Sequence, residues 1–284
     1  MTERDDLAPV ARLRSRFHGA FLGLAVADAL ATPAQWTRPG QAEPIRDLRG
    51  GGPHDLPRGA WRADTAMAWC TAASLLDTGH HDSADELARL RAWQREGAYS
   101  ATGECIGITA VVAQALALGA PSLELAAGID AEVRAVPITL FHFGDDAARE
   151  RALVASTALT ACTATKLAEV RALSNVITAA LRGDEAAWSA AWVAALAVPE
   201  QQICSVLHPL LTGHDGWKAA ALAAANLGGE AQGIPALVGA LAGARYGILA
   251  IPPVWLESIA HGAQLRELAD AMLVAALVEI AGVA

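Results

Sequence analysis

The stretch with the clearest chemical potential is residues 58–69, RGAWRADTAMAW, where Asp64 lies between Arg62 and Thr65 at the junction of a loop and a helix. A carboxylate beside a guanidinium can form a charge-assisted pair. The plainer interpretation is that Asp64 and Thr65 cap the helix, because both accept the free N–H groups of a first turn.

Apolar side chains recur at helical spacing along most of the chain. We therefore expect helices to position the residues named above. No run of alternating β-branched residues predicts a strand, so the expected fold class is all-α. After the first helix, the predicted helices cover residues 65–77, 83–96, 109–118, 147–161, 164–181, 185–197, 216–225, 234–248 and 265–280. A long loop rich in proline and glycine precedes Asp64, and a loop of that length in a compact domain is usually either functional or a disordered insertion.

Two stripes of small residues, one early and one late in the chain, each predict a face of close helix–helix packing. They are formed by Gly19, Gly23 and Ala27, and by Gly239, Gly243 and Gly247. Glycine inside a helix costs about 1 kcal/mol relative to alanine, so its repetition on one face indicates a close approach of backbones that offsets the loss. We therefore assign both stripes to packing.

Composition favours a globular chain that binds small molecules. Of its 284 residues, 54% are hydrophobic and 18% charged, which predicts a single domain over residues 1–284 with a flexible N-terminal segment at 1–14. The net charge of −9 offers no basic surface for nucleic acid. The sequence predicts neither a monomer nor an oligomer.

Cysteine spacing and the apolar stretches indicate a cytoplasmic protein. The four cysteines are too far apart for a zinc or redox pair, so they are expected to be free thiols. The apolar run near the amino end is interrupted by His18 and Asp28, which argues against a signal peptide. Polar residues also interrupt the alanine-rich stretch at 218–250, so no membrane association is expected.

Several segments, in the same order along the chain, resemble motifs of the ADP-ribosylglycohydrolase family. They are residues 19–33 (GAFLGLAVADALATP), 50–53 (GGGP), 59–61 (GAW), 100–105 (SATGEC), 225–229 (ANLGG), 239–247 (GALAGARYG) and 251–255 (IPPVW). The resemblance spans most of the chain. It implies an all-α, orthogonally packed multi-helix bundle, in agreement with the helical periodicity.

The resemblance is weakest where the chemistry of that family is carried out. Its members bind two Mg²⁺ or Mn²⁺ ions between a TDDT and a GGDSDT motif, and they cleave the glycosidic bond between ribose and a modified side chain. Here the corresponding residues are 62–65 (RADT) and 228–233 (GGEAQG), which retain only Asp64 and Glu230 as carboxylates. Divalent ions need several oxygen ligands, so two carboxylates beside Arg62 are not expected to hold them. The expected cofactor is therefore none.

Other positions matched to the family also differ from it. A motif glutamate corresponds to Gln35, and the family's cleft loop corresponds to residues 128–134, which keep Arg134 and add Asp130 and Glu132. Acids facing the cleft would repel a diphosphate. The residues that the resemblance implies for ligand binding are Asp28, Gln35, Arg62, Thr65, Glu104, Asp130, Arg134 and Gln232.

We hypothesise that Arg62 pairs with Asp64 or Glu230 and so replaces the charge of the metals. The alternative is that Arg62 extends to solvent while Asp64 only caps its helix. The histidines at 80, 81, 208 and 214 are assigned to loops, although His208 or His214 could replace a base that the family site has lost.

Three functions are compatible with this pattern. The first is a repurposed, metal-independent enzyme acting on a small molecule, with Asp64 and Glu230 as general acid and base and Arg62 or Arg134 holding an anionic group. The others are a non-catalytic binding or structural protein, and metal-dependent hydrolysis of ADP-ribosyl bonds. The polar replacements favour the first, because a pure scaffold has no need of buried polar groups, which cost stability unless they are paired.

Overall fold

The computed structural model of the protein describes residues 3–38, 43–121, 128–197, 202–229 and 233–282. Within these ranges the chain forms thirteen α-helices, two short 3₁₀ helices and no strand beyond isolated β-bridges, so the all-α prediction is confirmed. The helices are α1 (Glu3–Ala31), α2 (Ala63–Thr78), α3 (Ser83–Glu96), α4 (Ala110–Leu118), α5 (Asp130–Phe141), α6 (Asp146–Thr157), α7 (Ala164–Arg182), α8 (Glu185–Leu196), α9 (Gln202–Thr212), α10 (Gly216–Ala225), α11 (Ile234–Tyr246), α12 (Pro253–Ser258) and α13 (Gly262–Ala281).

Most helix boundaries follow cap residues that are visible in the sequence. The side chains of Asp82 and Asp184 accept hydrogen bonds from the first turns of α3 and α8. Gly97 and Gly183 end α3 and α7 in the left-handed conformation that glycine adopts without strain. The predicted helices therefore match the observed ones to within a few residues at most ends.

Two of the helices that the sequence did not predict, α5 and α9, contain proline. Pro137 lies inside α5 and Pro209 inside α9, and a proline inside a helix removes a backbone donor, which weakens the helical signal of both segments. The predicted cleft loop at 128–134 is therefore wrong from Asp130 onward, where α5 begins. The loop assignment of His208 is also wrong, because it lies in α9 with its ring 5.2 Å from that of Trp192.

The two glycine stripes bring α1 and α11 into direct backbone contact, which confirms that both serve packing and shows that each stripe is the partner of the other. A Cβ atom added to Gly243 would overlap the carbonyl oxygen of Gly19, and one added to Gly239 would overlap that of Gly23. Trp217 donates from Nε1 to the carbonyl oxygen of Gly239 at 2.9 Å. The contact holds α1 at the centre of the fold, and α1 carries Asp28.

Replacing Gly243 by alanine is expected to lower the free energy of unfolding by about 1–3 kcal/mol, because the added methyl forces the two backbones apart. Helix propensity alone predicts the opposite sign, since alanine is favoured over glycine by about 1 kcal/mol. Urea unfolding of the variant and the wild type measures the difference. A variant as stable as the wild type would show that the helices can separate at no cost.

The buried hydrophobic residues form one contiguous core. Among the described residues, the segment Pro9–Ala34 is long and apolar enough to cross a membrane, but 94% of its apolar window is buried inside the protein. The backbone is helical from Glu3, so α1 begins within the segment predicted to be flexible. Arg14 is bound to Asp270 of α13 through Nε and Nη2, at 2.6 and 2.8 Å.

Candidate functional site

A partly open cavity of about 160 Å³ lies where the amino ends of α2 and α5 meet the loop before α4. Its polar side chains are Gln35, Arg62, Asp64, Thr109 and Asp130. A smaller hollow beside it shares Gln35 and Arg62 and is bounded by the Gly228–Gly229 turn. The cavity therefore joins residues that are far apart in the sequence.

The wall of the cavity is built on a buried ion pair between Asp28 and Arg62. Nε and Nη2 of Arg62 each lie 3.2 Å from Oδ1 of Asp28, whose side chain is fully buried in α1. Oδ2 of Asp28 accepts hydrogen bonds from the backbone N–H of Arg62, the backbone N–H of Thr65 and the hydroxyl of Thr65, at 3.0, 3.2 and 2.9 Å. One carboxylate thus neutralises the guanidinium and caps α2.

This arrangement corrects two predictions. The N-cap position of α2 is Arg62, so Asp64 and Thr65 lie in the first turn and Asp28 supplies the acceptor. Arg62 pairs with Asp28 and not with Asp64. Glu230 and Gln232, which were predicted as catalytic and ligand-binding residues, lie outside the described residues.

Asp64 is the cavity carboxylate with the most perturbed titration. Its side chain is buried, and burial together with the nearby charges of Asp28 and Asp130 raises its pKa to about 7. The charge of Arg62 and a hydrogen bond from the backbone of Gly233 act in the opposite direction. Near neutral pH the carboxyl can therefore give up or take a proton.

The raised pKa of Asp64 predicts a pH-dependent stability. In the unfolded chain this carboxyl loses its proton near pH 4, whereas the folded protein keeps it until about pH 7. The folded state binds more protons between these values, so the contribution of Asp64 to stability falls as the pH rises from about 4 to 7. Asp64→Asn is expected to gain stability relative to the wild type from pH 5 to pH 8, measured by urea unfolding. A difference in free energy of unfolding between the two proteins that stays the same from pH 5 to pH 8 would contradict the raised pKa of Asp64.

Behind the cavity, Asp130 is held by a buried charge network. Nη1 of Arg134 lies 3.0 Å from Oδ2 of Asp130, one turn earlier on α5, and its Nε lies 3.2 Å from Oε1 of Glu86. The second oxygen of Glu86 lies 2.7 Å from Nε2 of His81. The pKa of Glu86 is lowered, although burial alone would raise it, because His81, Arg134 and Thr71 surround the carboxylate.

Three other residues that the resemblance placed at or near the cleft lie away from the cavity. Arg134 is fully buried, and its remaining donors bind Ser156 and Thr160, so its guanidinium is occupied inside the core. Glu132 is buried against Lys166 at 2.5 Å, and burial raises its pKa to about 8. Glu104 is exposed and does not line the cavity.

The sequence did not reveal that Asp28 caps α2 or that Glu86 and His81 hold Arg134. These contacts join α1 to α2 and α3 to α5, and no local pattern encodes them. The pair of Asp130 and Arg134 had a detectable signal, the spacing of four residues that places two side chains on one helical face.

The comparisons with known proteins agree on one family. The family model described as ADP-ribosylglycohydrolase matches residues 9–281. An ADP-ribosylarginine hydrolase Tri1 of Pseudomonas putida is 28% identical, over 90% of this chain and 77% of its own length. The ADP-ribosyl-[dinitrogen reductase] glycohydrolase of Rhodospirillum rubrum is also 28% identical, over 92% of this chain and 96% of its own length. A solved structure titled ADP-ribosylglycohydrolase-related protein complex superposes with a TM-score of 0.80 at 27% identity, covering 94% of this chain and 99% of that one.

Proposed function

Because the chain belongs to the ADP-ribosylglycohydrolase family, we propose that it is a metal-independent enzyme that hydrolyses a small glycoside bound in the cavity at Asp64. The observation that carries the proposal is the buried carboxyl of Asp64, with a pKa of about 7, in a cavity that also holds Asp130. A carboxyl that keeps its proton near neutral pH can donate it to a leaving group, and a second carboxylate can activate water.

The donors of the cavity do not fit two divalent cations. Such ions need several oxygen ligands without competing positive charge. Here the guanidinium of Arg62 lines the wall, and both oxygens of Asp28 are engaged by Arg62 and Thr65. Asp130 is paired with Arg134. Among the residues that the structure describes, this leaves Asp64 as the cavity carboxylate without an ion pair, and one carboxylate is too few.

The charges of the cavity favour a ligand rich in hydrogen-bond donors over an anion. Arg62 and Arg134 were candidates to hold an anionic group, but each guanidinium is neutralised by a buried carboxylate. Asp64, Asp130 and the amide oxygen of Gln35 instead present acceptors. We therefore assign the substrate to compounds whose hydroxyl or amine groups enter the cavity. Asp64 donates its proton to the leaving atom as the bond between that atom and the sugar carbon breaks, water adds to the same carbon, and the proton lost by that water passes to the carboxylate of Asp130.

Two classes of glycoside test the proposal. ADP-ribosylarginine has a poor leaving group, and 4-nitrophenyl ribofuranoside, supplied as both anomers, has a good one. Hydrolysis of at least one compound is expected at the same rate in EDTA and in Mg²⁺. Hydrolysis that requires Mg²⁺ would instead support the metal-dependent reaction of the family. Binding without turnover of either class would support a non-catalytic protein.

A further inference from the structure

Glu86 is a fully buried carboxylate on α3 that does not line the cavity. Its Oε1 accepts hydrogen bonds from the hydroxyls of Thr71 and Ser156, at 2.7 and 2.9 Å, and its Oε2 lies 2.7 Å from Nε2 of His81. Burying an ionised carboxylate is costly unless both oxygens have partners. Here α2, α6 and the loop before α3 supply them, so the carboxylate is held in one orientation.

The fixed carboxylate of Glu86 in turn holds the guanidinium of Arg134. Nε of Arg134 lies 3.2 Å from Oε1 of Glu86, and Nη2 donates to the carbonyl oxygen of Ser156 and to the hydroxyl of Thr160, both at 2.8 Å. The remaining nitrogen, Nη1, lies 3.0 Å from Oδ2 of Asp130. A planar guanidinium bonded along its other edges cannot turn, so Nη1 fixes the position of Asp130.

Asp130 is the point at which these buried charges reach the cavity. Its carboxylate is 4% exposed and lines the cavity, and its charge contributes to the raised pKa of Asp64. A carboxylate that is the sole partner of a buried guanidinium is a poor base, because protonation leaves that guanidinium unpaired. Arg134 has a second counter-charge in Glu86, so a proton on Asp130 does not leave it unpaired.

We propose that Glu86 is a positioning residue for hydrolysis, which acts on Asp130 through Arg134. It holds the carboxylate of Asp130 in the cavity, and it keeps the guanidinium paired while Asp130 carries the proton taken from water. That water gives up its proton to Asp130 as its oxygen bonds to the sugar carbon. The ion pair of Asp130 and Arg134 forms again when the proton passes to solvent. This inference rests on the proposed function, because it states how the base of the same cavity is held.

A double-mutant cycle on kcat tests the proposal. The substrate is 4-nitrophenyl ribofuranoside if the wild type hydrolyses it, because nitrophenolate leaves without protonation and the rate then reports the activation of water; otherwise it is ADP-ribosylarginine. Asp130→Asn is expected to lower kcat about 10²-fold. Glu86→Gln is expected to lower kcat about tenfold, as a misplaced catalytic group does, with KM within about twofold of the wild type.

The decisive comparison is the effect of Glu86→Gln in the Asp130→Asn background, where no further loss of kcat is expected. A merely structural role of Glu86 would lower kcat by the same factor in both backgrounds. Ser156→Ala is the milder variant, because its hydroxyl contacts both Glu86 and Arg134 and its removal leaves every charge in place. It is expected to lower kcat about threefold with Asp130 intact and not at all in Asp130→Asn.

Asp85→Asn is the matched control, because Asp85 precedes Glu86 on α3 and pairs with Arg89 instead. Its kcat is expected to remain within about twofold of the wild type. Urea unfolding of the same variants gives a readout that needs no activity. Glu86→Gln and Asp130→Asn each remove one counter-charge of Arg134, and the double variant removes both. Its loss of stability is therefore expected to exceed the sum of the two single losses.

Three kinetic results would overturn the inference: unchanged kcat in Asp130→Asn, unchanged kcat in both Glu86→Gln and Ser156→Ala, or equal losses in the two backgrounds. Each is compatible with metal-independent hydrolysis, so the proposed function would stand. If the wild type hydrolyses neither glycoside, the proposed function fails, and the unfolding cycle alone decides whether Glu86 and Asp130 share Arg134. Additive losses of stability would then overturn the shared pairing.

Discussion

Asp64→Asn is expected to lower the rate of hydrolysis of an unactivated glycoside by about 10²–10⁴-fold, the usual contribution of a positioned acid or base. Asparagine has nearly the same shape, but it cannot donate a carboxyl proton to the leaving group. The loss is expected to be much smaller for 4-nitrophenyl ribofuranoside, because nitrophenolate leaves without protonation. Steady-state rates for both substrates give the two ratios.

Met67→Leu is the matched control for this variant, because Met67 lines the same cavity and carries no titratable group. Its rates are expected to remain within a few-fold of those of the wild type. In the wild type, the rate is expected to fall as the pH rises through about 7, since Asp64 then loses the proton it must donate. Equal losses for both substrates in Asp64→Asn would contradict the role of general acid.

Asp28→Asn is expected to lower the free energy of unfolding by about 3–5 kcal/mol, the usual cost of removing one partner of a buried ion pair. The guanidinium of Arg62 would remain buried without a counter-charge, and Thr65 would lose a charged acceptor. Because Asp28 also caps α2, the first turn that carries Asp64 would be weakened as well. Equilibrium unfolding in urea measures the effect.

A double-mutant cycle separates the contribution of the Asp28–Arg62 ion pair to stability from the contribution of Asp28 as the cap of α2. Asp28→Asn with Arg62→Gln removes both charges, so it is expected to be less destabilising than the sum of the single variants by about 1–3 kcal/mol. Glu150→Gln is the matched control, because Glu150 forms an exposed ion pair with Arg171. Its cost is expected to be at most about 1 kcal/mol. An Asp28→Asn variant as stable as the control would show that the pair is not needed.

Local signals in the sequence predicted most of the fold. Cap residues such as Asp82 and Asp184 and terminal glycines such as Gly97 act within one turn, so their effect can be read from adjacent residues. The glycine stripes predicted close helix packing because repeated glycine costs helix stability unless backbones approach closely, but they did not identify α1 and α11 as each other's partners. Helix α5 was missed because Pro137 removes a donor and burial elsewhere compensates for it.

The cavity could be predicted only in part. Arg62 and Asp64 were found because they occupy the start of a helix after a long loop, but the partner of Arg62 could not be read from that stretch. Asp28 reaches Arg62 because α1 crosses beneath α2, and that crossing depends on packing throughout the core. The same reason hides Glu86, which meets Arg134 across two helices. Tertiary contacts therefore determine which charges of the cavity are free.

Calorimetric titration of Mn²⁺ into metal-free protein tests most directly whether the cavity works without metal ions. Among the residues that the structure describes, the buried pair of Arg62 and Asp28 and the ion-paired Asp130 leave too few free oxygen ligands for divalent cations. No stoichiometric binding of Mn²⁺ is therefore predicted, with hydrolysis undiminished in the same sample. Tight binding of one or two Mn²⁺ ions per chain, with hydrolysis that depends on them, would contradict the proposed function.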